Sequence, residues 1–190
     1  MKTEIGFAEF ARRYEDGSAQ LVWTTLVADL ETPVSAMLKL ADGRPYSFLL
    51  ESVEGGAVRG RYSVIGLNPD LIWLCRGPQA EINRTALADI NAFVQCQEQP
   101  LVSLGDLLRE SRIEIPTPLP PMACGLFGYM GYDTVRLMER LPNANPDVLG
   151  IPDSIFMRPT VVAVFDNVDD IVTVITPVWP SPDIPAKSAY

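Results

Sequence analysis

The chain has 190 residues, 47% hydrophobic and 21% charged, a globular composition with enough apolar side chains for a core of its own. Its 24 acidic and 15 basic residues leave a formal net charge of −9, which repels phosphate backbones and anionic lipid and makes nucleic acid and membrane surfaces poor partners. The absence of histidine removes the commonest metal ligand and the usual general base near neutral pH, and with them any Ser-His-Asp or Cys-His machinery.

From the N-terminus, MKTEIGFAEFARRYEDG is charged throughout and lacks the apolar centre of a signal peptide. Phe7, Phe10 and Ala11 share one helical face, which predicts a short helix over Phe7–Tyr14. Gln20–Ala28, rich in β-branched and aromatic residues, reads as a strand. Thr32 followed by Pro33 has the chemistry of an N-cap and first helical position. In the helix that follows, Val34, Met37, Leu38 and Ala41 form an apolar stripe expected to face inward, and Gly43 ends it.

Ser47–Asn68, SFLLESVEGGAVRGRYSVIGLN, reads as a hairpin turning at Glu54-Gly55-Gly56, with Gly60–Gly66 pairing back on the first strand. Its odd feature is Glu51-Ser52 at the end of an apolar run. Buried without partners, such groups cost about 1–3 kcal/mol each. Either Arg59, Arg61 and nearby backbone satisfy them, or a ligand bearing an ammonium group and a carboxylate does.

Asp70–Arg76 is a third strand, buried by its apolar content, and Gln79–Arg84 a fourth after the turn at Gly77-Pro78. Thr85–Cys96 carries Leu87, Ile90, Phe93 and Val94 at near-helical spacing, and Ser103 is placed to cap a helix with Leu104, Leu107 and Leu108 inward. The proline-rich Ile115–Pro121 is an extended connector. Gly125, Gly128 and Gly131 are spaced G-x-x-G-x-x-G, which is neither the dinucleotide nor the phosphate-loop pattern. They read as a buried strand whose backbone approaches a neighbour closely. Asp133 is placed to cap a helix to Leu141, with Val135, Met138 and Leu141 facing the core. After the loop Asn143–Pro152, Thr160–Phe165 and Ile171–Thr176 flank Asp166-Asn167-Val168-Asp169-Asp170 as a hairpin. The tail, Pro177–Tyr190, has four prolines and no apolar period, so it reads as a linker. Together these elements predict an α+β fold of roughly seven to nine mostly antiparallel strands with about four short helices around them. Cys75, Cys96 and Cys124 are odd in number and far apart. They form neither a disulfide framework nor a zinc pattern and suit a reducing cytoplasm.

Leu49-Leu50-Glu51-Ser52, followed by V-E-G-G and R-G-R-Y-S-x-I-G, resembles the N-terminal region of anthranilate synthase component I. Gly125–Leu141, GLFGYMGYDTVRLMERL, is similar to that family's Gly-Phe-Gly-Tyr…Tyr-Asp segment, and the likeness runs along nearly the whole chain. The resemblance implies two packed sheets with helices around them. It implies a regulatory and structural domain over residues 1–176, with 177–190 leading toward a C-terminal chorismate-binding region. In the family, the enzyme converts chorismate and glutamine-derived ammonia to anthranilate and pyruvate. The LLES segment helps form a feedback pocket for L-tryptophan. Carried over, Leu49 and Leu50 supply apolar wall or backbone contacts, Glu51 takes the ligand's ammonium group, and Ser52 hydrogen-bonds beside it. Arg61 and Tyr62, on the partner strand, are weaker candidates that hold Glu51 in place. The resemblance further implies a glutamine amidotransferase partner and Mg2+ held in the C-terminal region.

No catalytic residue and no metal site is assigned within these residues. The acid/base candidates Glu51, Glu54, Asp133 and Glu139 form no close carboxylate pair and no metal-ligand spacing in the sequence. Two alternatives stay open. One is the corresponding part of aminodeoxychorismate synthase component I, of folate biosynthesis. The other is a free-standing amino-acid-binding module.

Overall fold

The structure, a computed structural model, describes residues 5–54, 58–142 and 146–190. In chain order the elements are α1 (Phe7–Glu15), β1 (Gln20–Val27), α2 (Pro33–Ala41), β2 (Phe48–Glu54), β3 (Val58–Arg76), β4 (Gln79–Asn83) and β5 (Val94–Gln95). Then follow α3 (Pro100–Glu110), a 3₁₀ turn (Pro121–Ala123), β6 (Phe127–Met130), a second 3₁₀ turn (Tyr132–Leu137), β7 (Ser154–Asp166), β8 (Ile171–Val178) and α4 (Ala186–Ala189). The strands are hydrogen-bonded in the order β1-β8-β7-β3-β4-β5, with β2 also on β3 and β6 on β7. The fold is α+β and its described strand pairs are antiparallel. The expected two sheets are replaced by one hydrogen-bonded sheet. The reason lies in β3, whose 19 residues join two runs that the sequence separates at Asn68-Pro69. Asn68 takes a left-handed conformation (φ 50°) there without ending the strand.

Two compact units divide the chain, and the division in β3 falls between Asn68 and Pro69. The first comprises residues 1–68, 113–125 and 159–190. In it, β1 pairs with β8 from Gln20↔Val178 to Val27↔Ile171, and β8 pairs with β7 through the tight turn at Asp166↔Ile171. One core cluster joins Ala36 of α2 to Ile65, Leu67, Ala163 and Phe165, with Leu49 and Met37 packed against it. A second joins Ile5, Phe10 and Tyr14 to Val22, Val178, Ala186 and Ala189. The tail belongs to this second cluster. The Tyr14 hydroxyl donates to the Ile184 carbonyl at 2.9 Å and accepts from the Ser181 amide at 3.1 Å, and the Tyr190 ring lies 5.1 Å from that of Phe10.

The capping chemistry of α2 is as its sequence requires. The Thr32 hydroxyl accepts from the Ser35 amide at 3.1 Å and the Ser35 hydroxyl accepts from the Thr32 amide at 3.0 Å. Its inward face differs from the expected stripe. Pro33 and Ala36 are buried and Met37 and Ala41 pack on the core, while Val34 and Leu38 are 48% and 75% exposed. The inward face runs through Pro33, Ala36, Met37 and Ala41 at helical spacing, which leaves Val34 and Leu38 on its flank.

The second unit comprises residues 69–112 and 126–158. Its core joins Leu71, Trp73, Cys75, Ala80, Ile82, Leu104 and Leu107. Arg76↔Gln79 closes the β3–β4 hairpin around Gly77 (φ 52°) and Pro78. The Trp73 indole N–H donates to Ser103 Oγ at 3.0 Å. Ser103 therefore lies inside α3, which begins at Pro100 after Gln99, and does not cap it. Leu104 and Leu107 are buried as expected, whereas Leu108 is exposed.

Thr85–Cys96 is not a helix. Asn83 accepts from the Thr85 amide at 2.9 Å and donates to the Asp89 carbonyl at 2.8 Å, and Asp89 accepts from the Asn91 amide. These side-chain bonds compete with the helical ladder and hold a series of turns before β5. The segment after Gly131 is a 3₁₀ turn with Thr134 buried and Met138 and Leu141 exposed, again unlike the expected helix. Thr134 Oγ1 lies 2.7 Å from Ser154 Oγ, a polar contact that an apolar stripe does not foresee. Of the glycines, Gly128 does approach a neighbour closely, because a Cβ there would overlap the Ile155 backbone. Its strand, β6, is nonetheless largely exposed.

Candidate functional site

The LLES segment forms most of β2, paired only with β3 among the described residues. Its register runs Phe48↔Gly66, Leu49↔Ile65, Leu50↔Val64 and Glu51↔Ser63. Strand pleating then separates the four residues onto two faces. Leu49 and Glu51 share one, where Leu49 packs on the core cluster of Ala36, Ile65 and Phe165. Leu50 and Ser52 share the other, together with Phe48, whose ring covers Gly66 so closely that no Cβ would fit there. Leu50 is 52% exposed, and Glu51 and Ser52 are exposed.

Contrary to the expectation of a buried pair, neither group bears the cost of desolvation. A carboxylate and a hydroxyl facing water need no protein partner, so their chemistry is available to a ligand. Arg61, expected to face Glu51 from the partner strand, turns to the β7–β8 turn. It does not hold Glu51. Its Nε donates to Asp166 Oδ2 at 2.9 Å, and its Nη2 to Asp166 Oδ2 at 2.7 Å and Asp169 Oδ2 at 3.1 Å. Its guanidinium carbon also stands 5.0 Å from the centroid of the Tyr62 ring. These hydrogen bonds from Arg61, with lesser ones from the Val168 and Asp169 amides, hold the Asp166 carboxyl below the usual aspartate range. The side chain of Arg59 and the turn at Gly55-Gly56 lie outside what is described.

Between Glu51↔Ser63 and Val53↔Arg59 the register jumps, so Ser52 alone stands against Gly60, Arg61 and Tyr62. This bulge sets the direction of the Ser52 side chain, which rests over Gly60 where a Cβ would collide with it. The sequence signal for the bulge is Gly60 itself. The partners of the bulge, Asp166, Asn167 and Asp169, were legible only as a turn, since their contact with Arg61 spans more than 100 residues of chain.

Two clefts lie near other candidates. One of about 290 Å³ is lined by Arg61, Tyr62, Pro118, Pro120, Asp166 and Asp169. The other, of about 770 Å³ in the second unit, is lined by Tyr129, Tyr132, Leu137, Leu149 and Asp153 among others. Leu49, Leu50, Glu51 and Ser52 line neither. Of the acid/base candidates, Asp133 accepts from Arg136 Nε at 2.7 Å and Glu139 is exposed. Among the described residues no group of three or more His, Cys, Asp or Glu could hold a metal ion, and no helix is long and apolar enough to cross a membrane. Burial pushes the Cys75 and Cys124 thiols up, away from the thiolate form that reacts.

Fold and site together define an α+β domain of antiparallel strands whose candidate ligand groups sit on an edge strand beside a bulge. No family model matches the chain. It is 54% identical over 184 residues to anthranilate synthase component 1 of Cereibacter sphaeroides, covering 97% of this chain and 37% of that protein. It is 39% identical over 153 residues to anthranilate synthase component 1 of Thermus thermophilus, covering 80% of this chain and 31% of that one. The crystal structure of anthranilate synthase component I from Streptococcus pneumoniae shares the fold, with a TM-score of 0.54 at 21% identity over 86% of this chain and 33% of that chain. The chain belongs to the anthranilate synthase component 1 family and corresponds to the N-terminal part of its members. It spans about a third of the length of these relatives.

Proposed function

We propose that this chain is the N-terminal regulatory and structural part of an enzyme that makes anthranilate and pyruvate from chorismate and glutamine-derived ammonia, in tryptophan biosynthesis. The observation that carries the reading is the 54% identity along 97% of the chain to an anthranilate synthase component 1. The chemistry belongs to a C-terminal chorismate-binding region, which also holds Mg2+, and residues 177–190 lead toward it. A glutamine amidotransferase supplies the ammonia. Residues 1–190 alone are inactive.

In this reading the β2 tip is half of an L-tryptophan sensor. The exposed Glu51 carboxylate accepts a charge-assisted hydrogen bond from the ligand's ammonium group. Ser52 hydrogen-bonds beside it, from the other face of an edge strand that a ligand can straddle. Leu50 offers an exposed apolar surface to the indole, and Leu49 contributes through its backbone because its side chain is committed to the core. The second half of the pocket comes from the C-terminal region. A ligand held between two regions couples their arrangement to its own binding, as feedback inhibition needs.

The test uses the product of the whole reading frame. Anthranilate should form from chorismate with glutamine or ammonium, and aminodeoxychorismate in its place would overturn the assignment. Tryptophan should inhibit, and Ser52→Ala should raise the concentration needed, with turnover in its absence measured in the same assay. Unchanged inhibition removes Ser52 from the pocket. By calorimetry residues 1–190 should bind tryptophan weakly or not at all, and micromolar binding would contradict a split pocket.

A further inference from the structure

The bulge in the β2–β3 hairpin places three residues of β3, Gly60, Arg61 and Tyr62, against the single residue Ser52. A bulge leaves backbone groups of its longer strand without ladder partners, and each must be satisfied elsewhere. Here one residue of the β7–β8 turn bonds two carbonyls of the bulged segment. Asn167 donates its backbone amide to the Arg61 carbonyl at 2.8 Å and its side-chain Nδ2 to the Gly60 carbonyl at 2.9 Å. Beside it, Asp166 takes the Arg61 guanidinium through both carboxylate oxygens and accepts the Val168 amide at 3.0 Å. The turn is thus bound to the backbone and the side chain of the bulge at once. Gly60 in turn touches Ser52 with no room for a Cβ between them.

We infer that Asn167 and Asp166 are positioning residues for Ser52, and that the β7–β8 turn sets tryptophan sensitivity by fixing the bulge against which the Ser52 hydroxyl is aimed. The inference rests on the reading of Glu51-Ser52 as part of the tryptophan site. Neither Asn167 nor Asp166 touches the ligand. Each acts through Gly60 and Arg61. Without the Asn167 side-chain donor, the Gly60 carbonyl turns to water, the bulge relaxes, and the hydroxyl loses its direction. A hydrogen bond that is angle-dependent then weakens although every ligand-contacting residue is still present.

The experiment is tryptophan inhibition of the full-length enzyme carrying Asn167→Asp, which keeps the side chain's size and removes the Nδ2 donor. Tryptophan for half-inhibition should rise about fivefold or more while turnover without tryptophan stays within about twofold. Asp166→Glu, which retains a carboxylate for Arg61, should shift inhibition less than Asp166→Ala. Hydrogen exchange should quicken at β2 and not in β1 or β8. If Asn167→Asp leaves inhibition unchanged while Ser52→Ala alters it, the positioning role is overturned and the tryptophan reading stands. If both leave it unchanged, the tryptophan reading falls and this inference with it. Exchange that quickens equally in β1 and β8 also overturns it, because general loosening then explains the shift.

Discussion

Removing the carboxylate of Asp70 should cost the second unit more than any exposed ion pair in it. Arg158 Nε and Nη2 donate to the two Asp70 oxygens, both at 2.8 Å, and Nη1 donates to Ser111 Oγ at 3.3 Å. The two charged side chains keep only 15% and 21% of their exposure. Asp70→Ala leaves a nearly buried guanidinium without its carboxylate. Breaking a fully buried pair from one side costs about 3–5 kcal/mol, and the exposure that remains here lowers the expectation to about 2–3 kcal/mol. Equilibrium urea denaturation followed by Trp73 fluorescence, with the other two tryptophans replaced by phenylalanine, reads this unit directly. The double variant Asp70→Leu, Arg158→Met should recover most of the loss, because it removes both charges together. A loss below about 0.5 kcal/mol for Asp70→Ala would place the pair among solvent-screened surface bridges and refute the reasoning.

Two further outcomes follow from local geometry. Asp166 is held below the ordinary aspartate range by Arg61. Its contribution is therefore present above the unfolded value of about 3.9 and is lost as pH falls through the lower folded value. Urea midpoints taken from pH 7 downward should fall in that acid window, and Asp166→Asn should flatten the fall. An equally steep acid limb in the variant would assign it to other carboxylates. Among the glycines, Gly128→Ala forces a methyl onto the Ile155 backbone and should lose about 1–3 kcal/mol. Gly105→Ala, in open space on α3, should gain about 0.5–1 kcal/mol. Thermal melts of the pair should move in opposite directions.

What the linear order of residues determines about this protein is its local grammar. Thr32-Pro33 starts a helix, Gly77-Pro78 turns a hairpin, and Asp166–Asp170 turns another, because each depends on backbone groups within a few residues. The same holds for the family likeness of LLES and RGRYS, and for the recognition of Gly128 as a point of close approach. Where a helical period failed, at Thr85–Cys96 and after Gly131, polar side chains had a better partner than the helix: Asn83 for the one, Ser154 for Thr134 in the other. Only the tertiary structure decided that Ala36 and not Val34 or Leu38 faces the core from α2, that β3 runs unbroken through Asn68-Pro69, and that Arg61 answers to Asp166 and leaves Glu51 to the solvent. These are contests between partners far apart in the chain. Their outcome is set by which groups the folded backbone brings within hydrogen-bonding distance, and residue spacing holds no record of that distance.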